Sequence, residues 1–148
     1  MKVGAEYDIT PCGLGARDTL RFEASMPLYG HEMNDDITPL ETGLKMFVKM
    51  DHDFIGRAAL IERGDPKVKR VGLELIDKGI AREHCPVYSG GVKIGETTSG
   101  TMSPYSGKAL AMAIIPLEYA KAEDIKIDVR GRMLAARIVP MPFYKRQG

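Results

Sequence analysis

A chain of 148 residues is long enough to bury a core without disulfides or metal. Its 21 Lys and Arg against 20 Asp and Glu exclude the strong net field that draws a protein onto nucleic acid or an acidic membrane. Two isolated cysteines, Cys12 and Cys85, exclude a CxxC zinc knuckle or a disulfide scaffold, and the expected compartment is a reducing one, the cytoplasm. The opening MKVGAEYDITPCG carries no apolar leader core, and no segment has the uninterrupted apolar length of a membrane span.

The first element runs from Gly13 to Pro27. Ala16, Leu20 and Ala24 recur every four residues with Phe22 and Met26 beside them, which predicts a short amphipathic helix stopped by Pro27. Arg17 and Arg21 then share one face. Thr38, Pro39 and Glu41 form a capping-box start with proline at the first helical position, so a brief helix is expected there. Leu44, Met46, Val48 and Met50 alternate with Lys45, Phe47 and Lys49, which predicts a strand. From Phe54 to Arg63 the residues favour a helix, with Gly64 as its cap.

Beyond Pro66 the pattern becomes that of strands. Val71, Leu73 and Leu75 alternate with Gly72 and Glu74, and Ser89-Gly90-Gly91 separates Val87-Tyr88 from Val92-Lys93-Ile94. Ala109 to Ile115 is continuously apolar, Ile125, Ile127 and Val129 alternate again, and Gly131 turns the chain into Met133 to Val139. The expected architecture is α+β, mainly β, with a short helical leading segment followed by a small antiparallel β-barrel or sandwich. Residues 1–65 form the leading part, helices and one strand, and residues 66–148 the barrel domain. Because the leading helices have no sheet of their own, Leu20, Phe22 and Met26 are expected to be partly uncovered in a monomer, or covered by another copy of the chain.

Little in the pattern points to catalysis. His31, His52 and His84 stand in no HxxxH pair and near no ligand-spaced Cys or carboxylates, so no metal site is expected. There is no GxSxG, and neither cysteine has the flanks of a nucleophile. Gly13-Leu14-Gly15-Ala16-Arg17-Asp18 lacks the third glycine of GxGxxG and the Lys-Ser/Thr of a P-loop, which excludes nucleotide binding of those kinds. What remains is a tight turn into a helix whose first turn offers free N–H groups beside Arg17. That combination could hold a carboxylate, or Arg17 could pair with an acid such as Glu23 or Glu41.

The stretch PCGLGARDTLRFEASMPLYGHEM (11–33), followed in order by TPLETGL (38–44), DFIGRAAL (53–60), IGETTSG (94–100), SP (103–104) and PFY (142–144), resembles the glycine-cleavage T-protein family. Members of that family are more than twice as long, and the resemblance implies that this chain is their C-terminal portion. It implies three domains around a channel that holds tetrahydrofolate, with residues 1–65 a remnant of the folate-binding domain and the last domain a small β-barrel. The activity it implies is transfer of a methylene group from the aminomethyl-lipoyl arm of the H protein to tetrahydrofolate, with release of ammonia. Within this chain the resemblance assigns no catalytic residue, because the family's catalytic aspartate lies in the N-terminal portion. It carries over one cofactor contact, Arg17, whose paired donors suit a carboxylate or carbonyl; Asp18 and Arg21 are read as a structural ion pair, and Thr98, Ser99 and Gly100 as an architectural loop. Tetrahydrofolate is then a ligand only of the complete enzyme, and the expected partners are the lipoylated H protein and an N-terminal half of the same enzyme, with no nucleic acid and no membrane. Two other readings stay open: a fragment of a related folate-dependent demethylase, and a non-catalytic complementing or binding subunit.

Overall fold

The computed structural model describes residues 2–145. Two α-helices, α1 (Leu14–Glu23) and α2 (Arg57–Arg63), precede six strands: β1 (Val68–Leu75), β2 (Pro86–Ser89), β3 (Val92–Met102), β4 (Ala109–Pro116), β5 (Ile125–Val129) and β6 (Arg132–Val139). All neighbouring strands are antiparallel, in the order β1-β4-β3-β2-β5-β6, and β6 pairs back onto β1 to close a barrel. Each strand predicted beyond Pro66 from alternation and turn residues is present, and Val92 to Ile115 carries no helix.

The turn chemistry explains the register. Ser89 pairs with Val92 across Gly90 and Gly91, both in the left-handed region at φ +57° and +79°, which a two-residue hairpin needs and which glycine adopts without steric cost. Val129 pairs with Arg132 in the same way across Arg130 and Gly131, where Asp128 Oδ1 accepts the Gly131 N–H at 2.7 Å. Alternate residues of each strand fill the barrel: Leu73, Val87, Ala113, Ile115, Ile125 and Ile127 are fully or almost fully buried there. β4 is apolar on both faces for a reason. Its other face, Leu110 and Met112, is covered by Phe22 of α1 together with Met141 and Phe143 of the tail.

The leading segment departs from three expectations. Leu44 to Met50 is not a strand; Lys45–Phe47 forms a 3₁₀ turn, with Phe47 N–H donating to Leu44 O and Val48 N–H to Lys45 O. A closed barrel has no free edge for an added strand, so these backbone groups satisfy one another locally. The capping-box contacts at Thr38 and Glu41 do form, with Thr38 N–H donating to Glu41 Oε2 at 2.7 Å and Glu41 N–H reaching Thr38 Oγ1 at 3.4 Å. They close turns rather than a helix, since Gly43 turns left-handed at φ +82° and Arg70 N–H takes the Glu41 carbonyl. The helix expected before Gly64 forms as α2, and Gly64 caps it at φ +74°. Leu20 and Met26 are exposed, at 69% and 62%, whereas Phe22 is buried within the chain against the barrel.

Candidate functional site

α1 begins at Gly13, whose extended backbone leads into the first turn without a side-chain cap. Only its second half meets the barrel. Three consecutive residues make that contact: Arg21, Phe22 and Glu23. Phe22 stacks on Phe143 with ring centroids 5.1 Å apart. The Glu23 carboxylate accepts from Ser103 Oγ and, at 3.0 Å, from Tyr105 N–H, and its carbonyl takes Tyr144 N–H.

Arg21 holds the polar centre of the interface. Its Nε donates to Asp18 Oδ1 at 2.7 Å, Nη1 to Glu32 Oε2 at 2.8 Å and Nη2 to Ser99 Oγ at 2.8 Å. The Glu32 side chain is fully buried, and Leu28 N–H and Thr98 Oγ1 also donate to it. Burial by itself would raise the Glu32 pKa. Hydrogen bonds from Ser99, Leu28 and Thr98 and the charge of Arg21 outweigh that penalty and hold the carboxyl below its ordinary range. The expected Asp18–Arg21 pair is therefore present, as one contact of a larger network.

The two hydroxyls reach the same cluster because β3 is bulged. In a regular strand Thr98 and Ser99 would point to opposite faces; the register shift between Thr97 and Ser99 lets both meet the Arg21–Glu32 pair. Next to them Gly100 leaves room for the Ala81 carbonyl, which a Cβ would meet at 2.2 Å. His31 Nδ1 lies 3.1 Å from Thr98 O and 3.0 Å from Glu83 Oε2, tying the loop after α1 to the barrel. Asp18, Arg21, His31, Arg82, Glu83 and Ser99 surround a shallow recess of about 250 Å³.

Arg17 sits one turn before Arg21, on the part of α1 that projects from the barrel. It is exposed and has no side-chain hydrogen bond or ion pair among the described residues. Neither acid weighed as its partner accepts it: Glu23 is engaged by Ser103 and Tyr105, and Glu41 by Thr38 and Arg63. Its guanidinium thus offers unpaired planar donors, a set that fits a carboxylate or carbonyl ligand. Thr98, Ser99 and Gly100 lie within β3 and not in a loop. Glu32 escaped the sequence reading altogether, since its side-chain partners Arg21 and Thr98 stand 11 and 66 positions away, and only a lone acid inside the apolar-flanked LYGHEM stretch could have drawn notice. Among the described residues no group of three or more His, Cys, Asp or Glu could hold a metal, and no helix is long and apolar enough to cross a membrane.

Comparison with known proteins gives matches to two family models, the glycine cleavage T-protein C-terminal barrel domain over residues 69–145 and the GCVT N-terminal domain over residues 1–52. An aminomethyltransferase of Desulfitobacterium hafniense is 52% identical over 153 residues, spanning 100% of this chain and 42% of the relative. One from Bacillus cereus is 50% identical over 152 residues, spanning 99% and 41%. The crystal structure of glycine cleavage system aminomethyltransferase T from Bartonella henselae superposes with a TM-score of 0.86 at 29% identity, over 97% of this chain and 42% of that one. The chain therefore spans about two-fifths of the length of the relatives it matches.

Proposed function

Because this chain belongs to the glycine cleavage T-protein family, we propose that it acts as the C-terminal part of a tetrahydrofolate-dependent aminomethyltransferase of the glycine cleavage system. The observation that carries this reading is the pairing of the family's barrel with a helix fixed to it at Arg21, Phe22 and Glu23 and bearing, one turn earlier, the unpaired guanidinium of Arg17. When bound, tetrahydrofolate supplies the nitrogen that takes the methylene group from an aminomethyl-lipoyl arm on the H protein, with ammonia released.

The chain's own residues bind and position. Arg17 holds a carboxylate or carbonyl of the folate through two parallel N–H donors. The Arg21–Glu32–Thr98–Ser99 network prevents α1 from rocking on the barrel, which matters because an ångström of misplacement far from the reacting atoms can cost orders of magnitude in rate. No group of this chain is assigned to proton transfer; the carboxylate for that task belongs to the rest of the relatives' length, as does most of the pterin pocket. The 148-residue chain is therefore expected to give no aminomethyl transfer alone. Adding the segment that precedes the matched region in the Desulfitobacterium hafniense aminomethyltransferase is expected to restore it, with aminomethylated H protein as donor. Turnover by the chain alone would place a catalytic group within it and overturn this assignment.

A further inference from the structure

A second arginine is built into the fold differently from Arg17. Arg70 leaves β1 on the outer face of the barrel and is nearly covered, at 8% exposure. Its Nη1 donates to the Ser25 carbonyl at 2.8 Å and approaches Met112 Sδ at 3.7 Å. Its Nε is buried with no partner, and so is the hydroxyl of Ser25, itself 8% exposed. No carboxylate stands within ion-pair distance of Arg70 among the described residues. Glu32, whose charge reaches it at longer range, already pairs with Arg21.

A buried guanidinium without a counter-ion is costly, and a buried donor left unmade costs more than the average hydrogen bond contributes. Arg70 and Ser25 both line a cleft of about 850 Å³ between the end of α1, the turns at 40–46 and β1, whose walls include Met26, Leu40, Leu44 and Met141. Two other charges at the cleft are accounted for locally: Glu41 is engaged by Thr38 and Arg63, and Lys69 is exposed to water. Asp65, also exposed, is the remaining acid on its rim.

We propose that this cleft is a carboxylate-binding subsite, in which the Arg70 guanidinium receives a monoanion carried on an apolar stem. The guanidinium, which no carboxylate of the described residues neutralises, supplies the charge, and the methionine and leucine walls take the stem. A monoanion fits better than a dianion, since one buried cation neutralises one charge and the second would be stranded in an apolar cleft. The carboxylate can come from a small molecule or from an acidic side chain of a second polypeptide, and the chemistry at Arg70 is the same. This site is separate in residues from the Arg17 assignment and does not depend on it.

Nuclear magnetic resonance of the arginine Nε–Hε groups tests it on the unmodified chain, with Arg70→Lys used only to identify the Arg70 signal. Titration with hexanoate is expected to shift that signal saturably, with an apparent affinity at least roughly tenfold tighter than for hexanamide, which has the same stem and no charge. To separate the two sources, the preceding segment of the Desulfitobacterium hafniense relative is added. A shift at Arg70 that blocks hexanoate identifies a polypeptide carboxylate, whereas hexanoate binding that persists in the mixture identifies a small-molecule site; either supports the subsite. An Arg70 signal that responds to neither addition, or equally to hexanoate and hexanamide, overturns it.

Discussion

Arg21 and Glu32 form a buried ion pair, Nη1 to Oε2 at 2.8 Å, across a stretch in which the chain leaves α1, loops and returns to the barrel. Both ends are further bonded, to Ser99 at the arginine and to Thr98 and the Leu28 amide at the glutamate. Breaking one partner of such a pair leaves an uncompensated buried charge, so Arg21→Ala is expected to cost about 3–5 kcal/mol. Arg17→Ala, with no contact to lose, is expected to stay within about 0.5 kcal/mol of the parent. Urea unfolding of the two variants side by side checks this. Helical spacing alone makes the two arginines look equivalent, as neighbours on one face; the barrel distinguishes them, because it meets only the second half of α1.

The lowered pKa of Glu32 makes the pair sensitive to acid. A carboxyl whose folded pKa lies below its unfolded value stabilises the fold above the unfolded value, near 4.5, and that contribution is lost as the pH falls through the folded pKa. Stability is therefore expected to decline below about pH 4.5. Glu32→Gln, less stable at neutral pH, is expected to show a flatter decline over the same range. A series of denaturant midpoints from neutral pH down to about pH 3 reads the difference, and parallel curves for the two proteins would remove Glu32 from the account.

Phe22 and Phe143 stack over Met112 and Leu110 on the outside of β4. Phe22→Ala is expected to cost about 3–5 kcal/mol through lost burial and the cavity left behind. The pair itself should couple by about 0.5–1.5 kcal/mol in a double-mutant cycle with Phe143→Ala. In hydrogen exchange the loss should fall on α1, leaving the amides of β2, β5 and β6 protected, since the barrel's inner core contains neither ring.

Gly100 admits the Ala81 carbonyl where a Cβ would stand 2.2 Å from it. Backbone cannot yield as a side chain can, so Gly100→Ala is expected to destabilise the chain by about 1–3 kcal/mol. It should also weaken the bonds of neighbouring Ser99 to Arg21. A thermal melt of Gly100→Ala compared with Gly107→Ala reports the contrast only in part, because Gly107 sits at φ +66° and an alanine there is strained in its backbone despite the open space around it. Near-ultraviolet circular dichroism separates the two, through Tyr105 and Tyr144, which meet edge to face at 4.6 Å beside the Gly107 turn.

The barrel was readable in the sequence because its signals are local and agree with one another. Alternation marks Val71 to Leu75 and Ile125 to Val129, and Gly90-Gly91 and Gly131 mark the turns that join strands two residues apart. Leu44 to Met50 alternates just as well and is not a strand, because pairing needs an edge and a closed barrel has none to offer. The polar interface was beyond local reading. Glu32 and Thr98 are 66 positions apart, and the bulge that brings Thr98 and Ser99 to one side has no marker in the letters TTSG. Arg70 is equally silent, one more cation in VKRVG until the fold buries it.

The central claim is that Arg17 is a ligand contact and Arg21 its structural support. Calorimetric titration of tetrahydrofolate into this chain mixed with the preceding segment of the Desulfitobacterium hafniense relative tests it most directly, with the parent and Arg17→Ala compared at equal thermal stability. A charge-assisted hydrogen bond contributes about 1.5–3 kcal/mol, so Arg17→Ala is expected to weaken binding roughly tenfold to a hundredfold with no change in the unfolding midpoint. Equal affinities for the two proteins would contradict the claim and return Arg17 to an ordinary exposed cation.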